Sequence, residues 1–117
     1  SKAGAAAALS ETGADMGAAL GVAVLGSIGA AVYRTALVLP PGIDAASGAA
    51  ALDTLGAAAD FAARLPSPAG ASLLISAQQA FTQGMQWATG AGGLVLLAMT
   101  VLFAWSATST PTPPPRR

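Results

Sequence analysis

Two long uncharged stretches dominate the order of apolar and polar positions along the chain, and a mixed segment separates them. The first runs from about Met16 to Tyr33. A helix crosses a bilayer with about 20 apolar residues, and about 17 suffice. The stretch therefore predicts a membrane-spanning helix, which Thr12 to Asp15 lengthen at the interface. Tyr33 and Arg34 close it with an aromatic ring and a cation, both suited to a headgroup layer. Pro40-Pro41-Gly42 bars helix beyond, because proline lacks the amide donor and restricts the residue before it. The second stretch runs from about Gly84 to Trp105, with Trp87 and Trp105 near its ends. Indoles favour both membrane interfaces. Eighteen residues separate the two, and at helical rise that is roughly 27 Å, close to the hydrocarbon thickness.

The segment between the stretches alternates in character. Ser47 to Leu65 carries Leu52, Leu55, Phe61 and Leu65 among Asp53, Asp60 and Arg64, a spacing that predicts an amphipathic helix ended by Pro66-Ser67-Pro68. Asp60 and Arg64 stand four apart, within reach of a helical ion pair. Ala71 to Met85 predicts a further helix, with Leu73, Leu74, Ala77, Ala80, Phe81 and Met85 near one stripe, continuing unbroken into the second span. Four prolines and two terminal arginines mark Ser106 to Arg117 as a disordered tail. The expected layout is residues 1–35 as the first transmembrane helix with its flank, 36–80 as an extramembrane connector, 81–106 as the second transmembrane helix, and 107–117 as the tail. The fold class is all-α: an integral membrane hairpin of two transmembrane helices with short amphipathic helices in the connector, forming part of a larger helical bundle. No strand pattern and no internal repeat stands out.

Composition supports this reading. Apolar residues make up 54% of the chain and charged residues 9%, where a soluble domain is nearer a quarter charged. A water-soluble Ala-rich bundle is the competing reading, and it predicts no requirement for detergent. Acids and bases cancel, so no long-range field points to nucleic acid. There is no Cys and no His, which excludes disulfides, thiol chemistry and the commonest base and metal ligand. No phosphate-cradling Gly-Lys-Ser/Thr motif and no nucleophile elbow occur. An enzyme is not expected, and no cofactor or metal is implied. The chain does not begin with Met, and the Ala run after Lys2 imitates a signal sequence only until Glu11 and Asp15 interrupt it. The start is read as an internal cut or trimmed end of a longer protein. Lys2, Arg116 and Arg117 flank the spans on one side against Arg34 and Arg64 on the other, which favours both termini in the cytoplasm.

Gly13, Gly17 and Gly21 repeat at four, and Ala18, Gly26 and Gly29 add small sites. In lipid, small residues let helix backbones approach closely, so Gly13, Gly17, Gly21 and Gly26 are candidates for packing against another helix. The competing reading is general Ala and Gly bias, since the connector is Ala-rich too. Glu11 and Asp15 are the only acids close to a span. One reading makes them a proton- or cation-coupling pair, because intramembrane acids are functional candidates. The other places them solvated at the interface, complementing the helix N-terminus, with Thr12 to Asp15 at capping-box spacing. Thr89 and Thr100 are expected to bond their own backbone, and Gln86 to meet headgroups.

The stretch Gly17-Ala18-Ala19-Leu20-Gly21-Val22-Ala23-Val24-Leu25-Gly26-Ser27, preceded by Ser10 to Met16, resembles the penultimate membrane helix of the fourteen-helix drug/proton antiporters, the EmrB/QacA-type branch of the major facilitator superfamily. Ala80-Phe81-Thr82-Gln83-Gly84-Met85 and the run after it resemble the start of the last helix. The resemblance covers nearly the whole chain except the tail. It implies the C-terminal part of a multi-pass cell-membrane transporter that exports small amphipathic or cationic compounds against protons. The partners implied are membrane lipid and the remaining helices of the parent. No transport residue carries over from the family's signature motifs, which lie in other helices. The alternative is a small membrane-embedded interaction or anchoring protein that associates through its glycine-rich helix face.

Overall fold

The structure is a computed structural model that describes residues 2–108. The Pro-rich stretch after Thr108, with Arg116 and Arg117, lies outside the described residues. The fold is all-helical: α1 (Lys2–Ala36), a short 3₁₀ helix (Ala49–Leu52), α2 (Leu55–Ala62) and α3 (Ser67–Thr108). The long helices α1 and α3 pack against each other as a hairpin, and the short elements cap one end.

α1 starts at Lys2, well before Thr12. The Ala run from Ala5 to Ala8 has the highest intrinsic helix propensity available, so Thr12 and Asp15 sit inside the helix and do not cap its start. The expected connector helix over Ser47 to Leu65 is divided into the 3₁₀ helix and α2. Thr54 makes the division: its backbone is extended, and its side-chain oxygen accepts the Ala57 amide at 3.1 Å, an N-cap for α2. α2 ends at Ala62, so Arg64 lies past the helix and does not pair with Asp60. The ion pair among the described residues joins Arg34 at the end of α1 to Asp53, at 3.0 Å.

Short-range chemistry shapes the turn after α1. Gly42 has φ +89° and the Ile43 amide donates to the Pro40 carbonyl at 3.2 Å, as a turn with Pro41 then Gly42 at its centre requires. The Ser47 amide donates to Asp44 Oδ1 at 2.6 Å and holds the Asp44 carboxyl below its ordinary pKa. α3 begins at Ser67, four residues ahead of the expected start, with Pro68 in its first turn where a missing donor costs nothing.

A small core ties the cap to the hairpin. Gly70, Leu73, Ala77, Ala80 and Gly84 are buried along α3, a spacing of three and four that makes one seam. Leu73 is the largest fully buried side chain. Tyr33, Leu37, Ala51, Ala58 and Ala62 complete the cluster. A Cβ on Gly70 would run into the Ala62 carbonyl oxygen, so glycine sets how closely α2 lies on α3. Tyr33 is 4% exposed, and its hydroxyl donates to the Ala51 carbonyl at 2.9 Å. Tyr33→Phe leaves that buried acceptor unpaired, which costs about 1–3 kcal/mol. The expected result is a lower thermal unfolding midpoint for the full-length protein in detergent. An unchanged midpoint would show that water replaces the hydroxyl.

Away from the cap the helices are bare. Of the most apolar 18 residues in α1 and in α3, 6% and 0% are buried within the chain. Val22, Leu94, Leu96, Leu102, Phe103 and Trp105 all stand more than half exposed. Water-soluble monomers rarely present so large a continuous apolar surface. The two long helices are long and apolar enough to cross a membrane, and this surface takes lipid or neighbouring helices as cover. In such surroundings backbone and hydroxyl groups find partners inside the helix. Ser27, Thr89 and Thr100 each donate to the carbonyl four residues back, at 2.7, 2.8 and 2.8 Å.

Candidate functional site

The long helices come into backbone contact at Gly29 and Gly84. A Cβ built on Gly84 would lie 2.7 Å from the Gly29 carbonyl oxygen and 3.5 Å from its Cα. A Cβ on Gly29 would meet the Gly84 oxygen at an ordinary 3.6 Å and Ala88 Cβ at 3.9 Å. Further along, the Leu25 side chain reaches over Gly92, where a Cβ would stand 3.4 Å from Leu25 Cδ1. These contacts set the antiparallel register.

A groove of about 800 Å³ opens between the helices beside this contact. Val22, Gly26, Gly29 and Tyr33 line it from α1, and Met85, Ala88 and Leu96 are among its residues on α3. Its walls are almost entirely apolar, and Asp53 and Thr54 stand at the cap end.

The register fixes the level of the two candidate acids. Asp15 is ten residues before Leu25, and Leu102 is ten residues past Gly92. Equal helical rise puts Asp15 level with Leu102 by this contact and level with Ala98 by the Gly29–Gly84 contact, so it lies one to two turns short of Trp105. By the same two counts Glu11 falls between the levels of Leu102 and Ser106. Spacing of three and four carries the groove-lining row of Tyr33, Gly29, Gly26 and Val22 on through Ala18 to Asp15 and Glu11. The acids thus extend the groove side of α1 at its far end. Both are exposed, and neither forms an ion pair among the described residues.

The candidate packing glycines stand differently. Gly13 and Gly17 fall on the opposite side of α1 from that row. A Cβ on Gly13, Gly17, Gly21 or Gly26 meets nothing within 4 Å, so within this chain these positions are open. The close contact at Gly29 and Gly84 was not singled out by spacing, since it uses one glycine per helix. The Arg34–Asp53 pair was equally invisible, because its members are 19 apart and joined by the connector's path. Gln86 is exposed next to Trp87. Among the described residues no cluster of His, Cys, Asp or Glu is arranged to hold a metal ion.

The chain is homologous to known efflux and resistance proteins. It is 42% identical over 103 residues to the multidrug efflux pump LfrA of Mycolicibacterium smegmatis, covering 88% of this chain and 19% of that protein. It is 32% identical over 100 residues to the methyl viologen resistance protein SmvA of Salmonella typhimurium, covering 86% of this chain and 20% of that protein. The chain therefore spans about a fifth of the length of the curated relatives it matches. The first of these relatives is an efflux pump, a transporter and not an enzyme. No family model matches the chain, and no solved structure matches it at a significant level.

Proposed function

We propose that this chain is the C-terminal two-helix portion of a proton-coupled multidrug or toxic-compound efflux transporter of the fourteen-helix EmrB/QacA-type branch of the major facilitator superfamily. The observation that carries the reading is the 42% identity to a multidrug efflux pump across 88% of the chain. The bare apolar faces support it as well, since a hairpin inside a larger bundle would find its cover in the remaining helices. A hairpin alone does not make an alternating-access pathway, which needs helical repeats moving around a central site. On this reading the protein sits in the cell membrane with both termini in the cytoplasm and the cap outside. Gly13, Gly17 and Gly21 receive a neighbouring helix of the parent.

Asp15 and Glu11 are the coupling candidates. Asp15 lies level with the apolar stretch Ala98 to Leu102, and Glu11 lies one turn nearer the helix end, so a proton or cation reaching Asp15 from the cytoplasmic side meets Glu11 first. An ionised carboxylate at membrane depth is costly, and neutralisation by a proton or a cationic compound relieves that cost.

The test is transport by the full-length protein in inverted vesicles under an imposed proton gradient, with Asp15→Asn beside wild type. The expected result is gradient-driven uptake of a cationic dye by wild type and its loss in Asp15→Asn at equal protein level. Uptake unaffected by the substitution would retain the transporter and remove Asp15 from coupling. Absence of gradient-driven uptake across a broad compound panel would overturn the transporter reading in favour of an interaction or anchoring protein.

A further inference from the structure

The two ends of the α1–α3 hairpin are held differently. At the cap end several ties act together. The backbones touch at Gly29 and Gly84, where a Cβ on Gly84 would stand 2.7 Å from the Gly29 carbonyl oxygen. The Val38 amide, just past α1, donates to Ser76 Oγ on α3 at 2.9 Å. The buried Tyr33 hydroxyl donates to the Ala51 carbonyl at 2.9 Å. Leu73 is fully buried in the cluster that seats the cap on α3. Parting α1 from α3 here would break the Val38–Ser76 bond and, with the cap seated on α3, the Tyr33–Ala51 bond. Buried polar groups are costly to leave without partners, so these ties fail together or hold together. Beyond Leu25 and Gly92 the side chains stand more than half exposed, Leu20, Val22, Leu94 and Leu102 among them.

We propose that α1, the cap and α3 stay clasped from the cap to Gly92 throughout transport. No substrate or proton passes between the two helices along that length. Relative movement within the hairpin is left to the ends that carry Glu11, Asp15 and Leu102. The inference rests on the transporter reading and adds to it a place where the pathway does not run.

A disulfide can fix the contact without distorting it. A Cβ on Gly29 would lie 3.9 Å from Ala88 Cβ, and a relaxed disulfide has about 3.8 Å between its Cβ atoms. The chain itself has no Cys. The test is Gly29→Cys with Ala88→Cys in the full-length protein, reconstituted in vesicles and freed of any other cysteine. The rate of oxidative crosslinking is measured with the proton gradient imposed and dissipated, with and without a cationic dye. Gradient-driven uptake is measured before oxidation, after it, and after reduction. Crosslinking at one rate under all conditions is expected, with uptake unchanged by the bond. A rate that follows the gradient or the dye, uptake lost on oxidation and restored by reduction, or no crosslink at all would each overturn the proposal. Should the paired cysteines stop uptake before oxidation, the crosslinking rates alone decide. Uniform crosslinking with no uptake by wild type would defeat the transporter reading and leave the clasp standing.

Discussion

Gly84→Ala will destabilise the full-length protein, and Gly29→Ala, on the facing helix, will leave it unchanged or slightly more stable. The two glycines form one contact, yet the geometry around them is unequal. A methyl on Gly84 would stand 2.7 Å from the Gly29 carbonyl oxygen. That oxygen belongs to backbone, so relief requires the helices to move apart. Overpacking of this kind costs about 1–3 kcal/mol, more than the 0.8–1.0 kcal/mol or so that alanine gains over glycine in a helix. A methyl on Gly29 meets its neighbours at 3.6 Å or beyond, ordinary contact, and the propensity gain stands unopposed. Thermal unfolding of the detergent-solubilised protein should move in opposite directions, or fall for Gly84→Ala alone. Equal effects of the two substitutions would mean that the helices do not meet in this register.

Leu73→Ala will loosen the cap. Leu73 is 0% exposed and lies at the centre of the cluster that joins α3 to α2 and the 3₁₀ helix. Truncation of a buried leucine costs about 2–5 kcal/mol, depending on how far the site collapses. The walls here are mostly alanine, with little bulk to move inward, which favours the upper part of that range. Exposed Arg64 follows α2 directly and offers trypsin a cleavage point once the cap opens. Faster cleavage after Arg64 in Leu73→Ala is expected, with a smaller change in Leu74→Ala, whose side chain is only partly buried. Identical cleavage in both variants would show that the cap is held by something other than this core.

Much of this architecture is legible in the order of residues. The uncharged stretches and the paired tryptophans announce two spans, and the seam from Gly70 to Gly84 continues a stripe already visible at Leu73, Ala77 and Ala80. The rest depends on contacts that no spacing encodes. Glycine is common along both long helices, so nothing local separates Gly84, which touches a backbone, from Gly17, which touches nothing in this chain. The Ala run after Lys2 overrides the capping signal at Thr12, because high propensity propagates a helix past a residue that would otherwise start one. Asp60 and Arg64 fail to pair because α2 stops between them, and the pair that does form, Arg34 with Asp53, is assembled by the turn through Gly42. The level of Glu11 and Asp15 is likewise a property of two helices together. Neither sequence stretch alone relates Asp15 to the Ala98–Leu102 level of α3.

α3 is one unbroken rod from the cap to its far end, with no proline after Pro68 in its described length. Its 42 residues give a length of about 63 Å, twice what the bilayer needs. With Trp87 at the interface, as the proposed reading has it, the twenty residues ahead of it act as a lever about 30 Å long. A tilt of about 10° in the membrane half would swing the cap sideways by about 5 Å over that length. A spectroscopic label on the cap would thus register tilting of α3 at amplified scale.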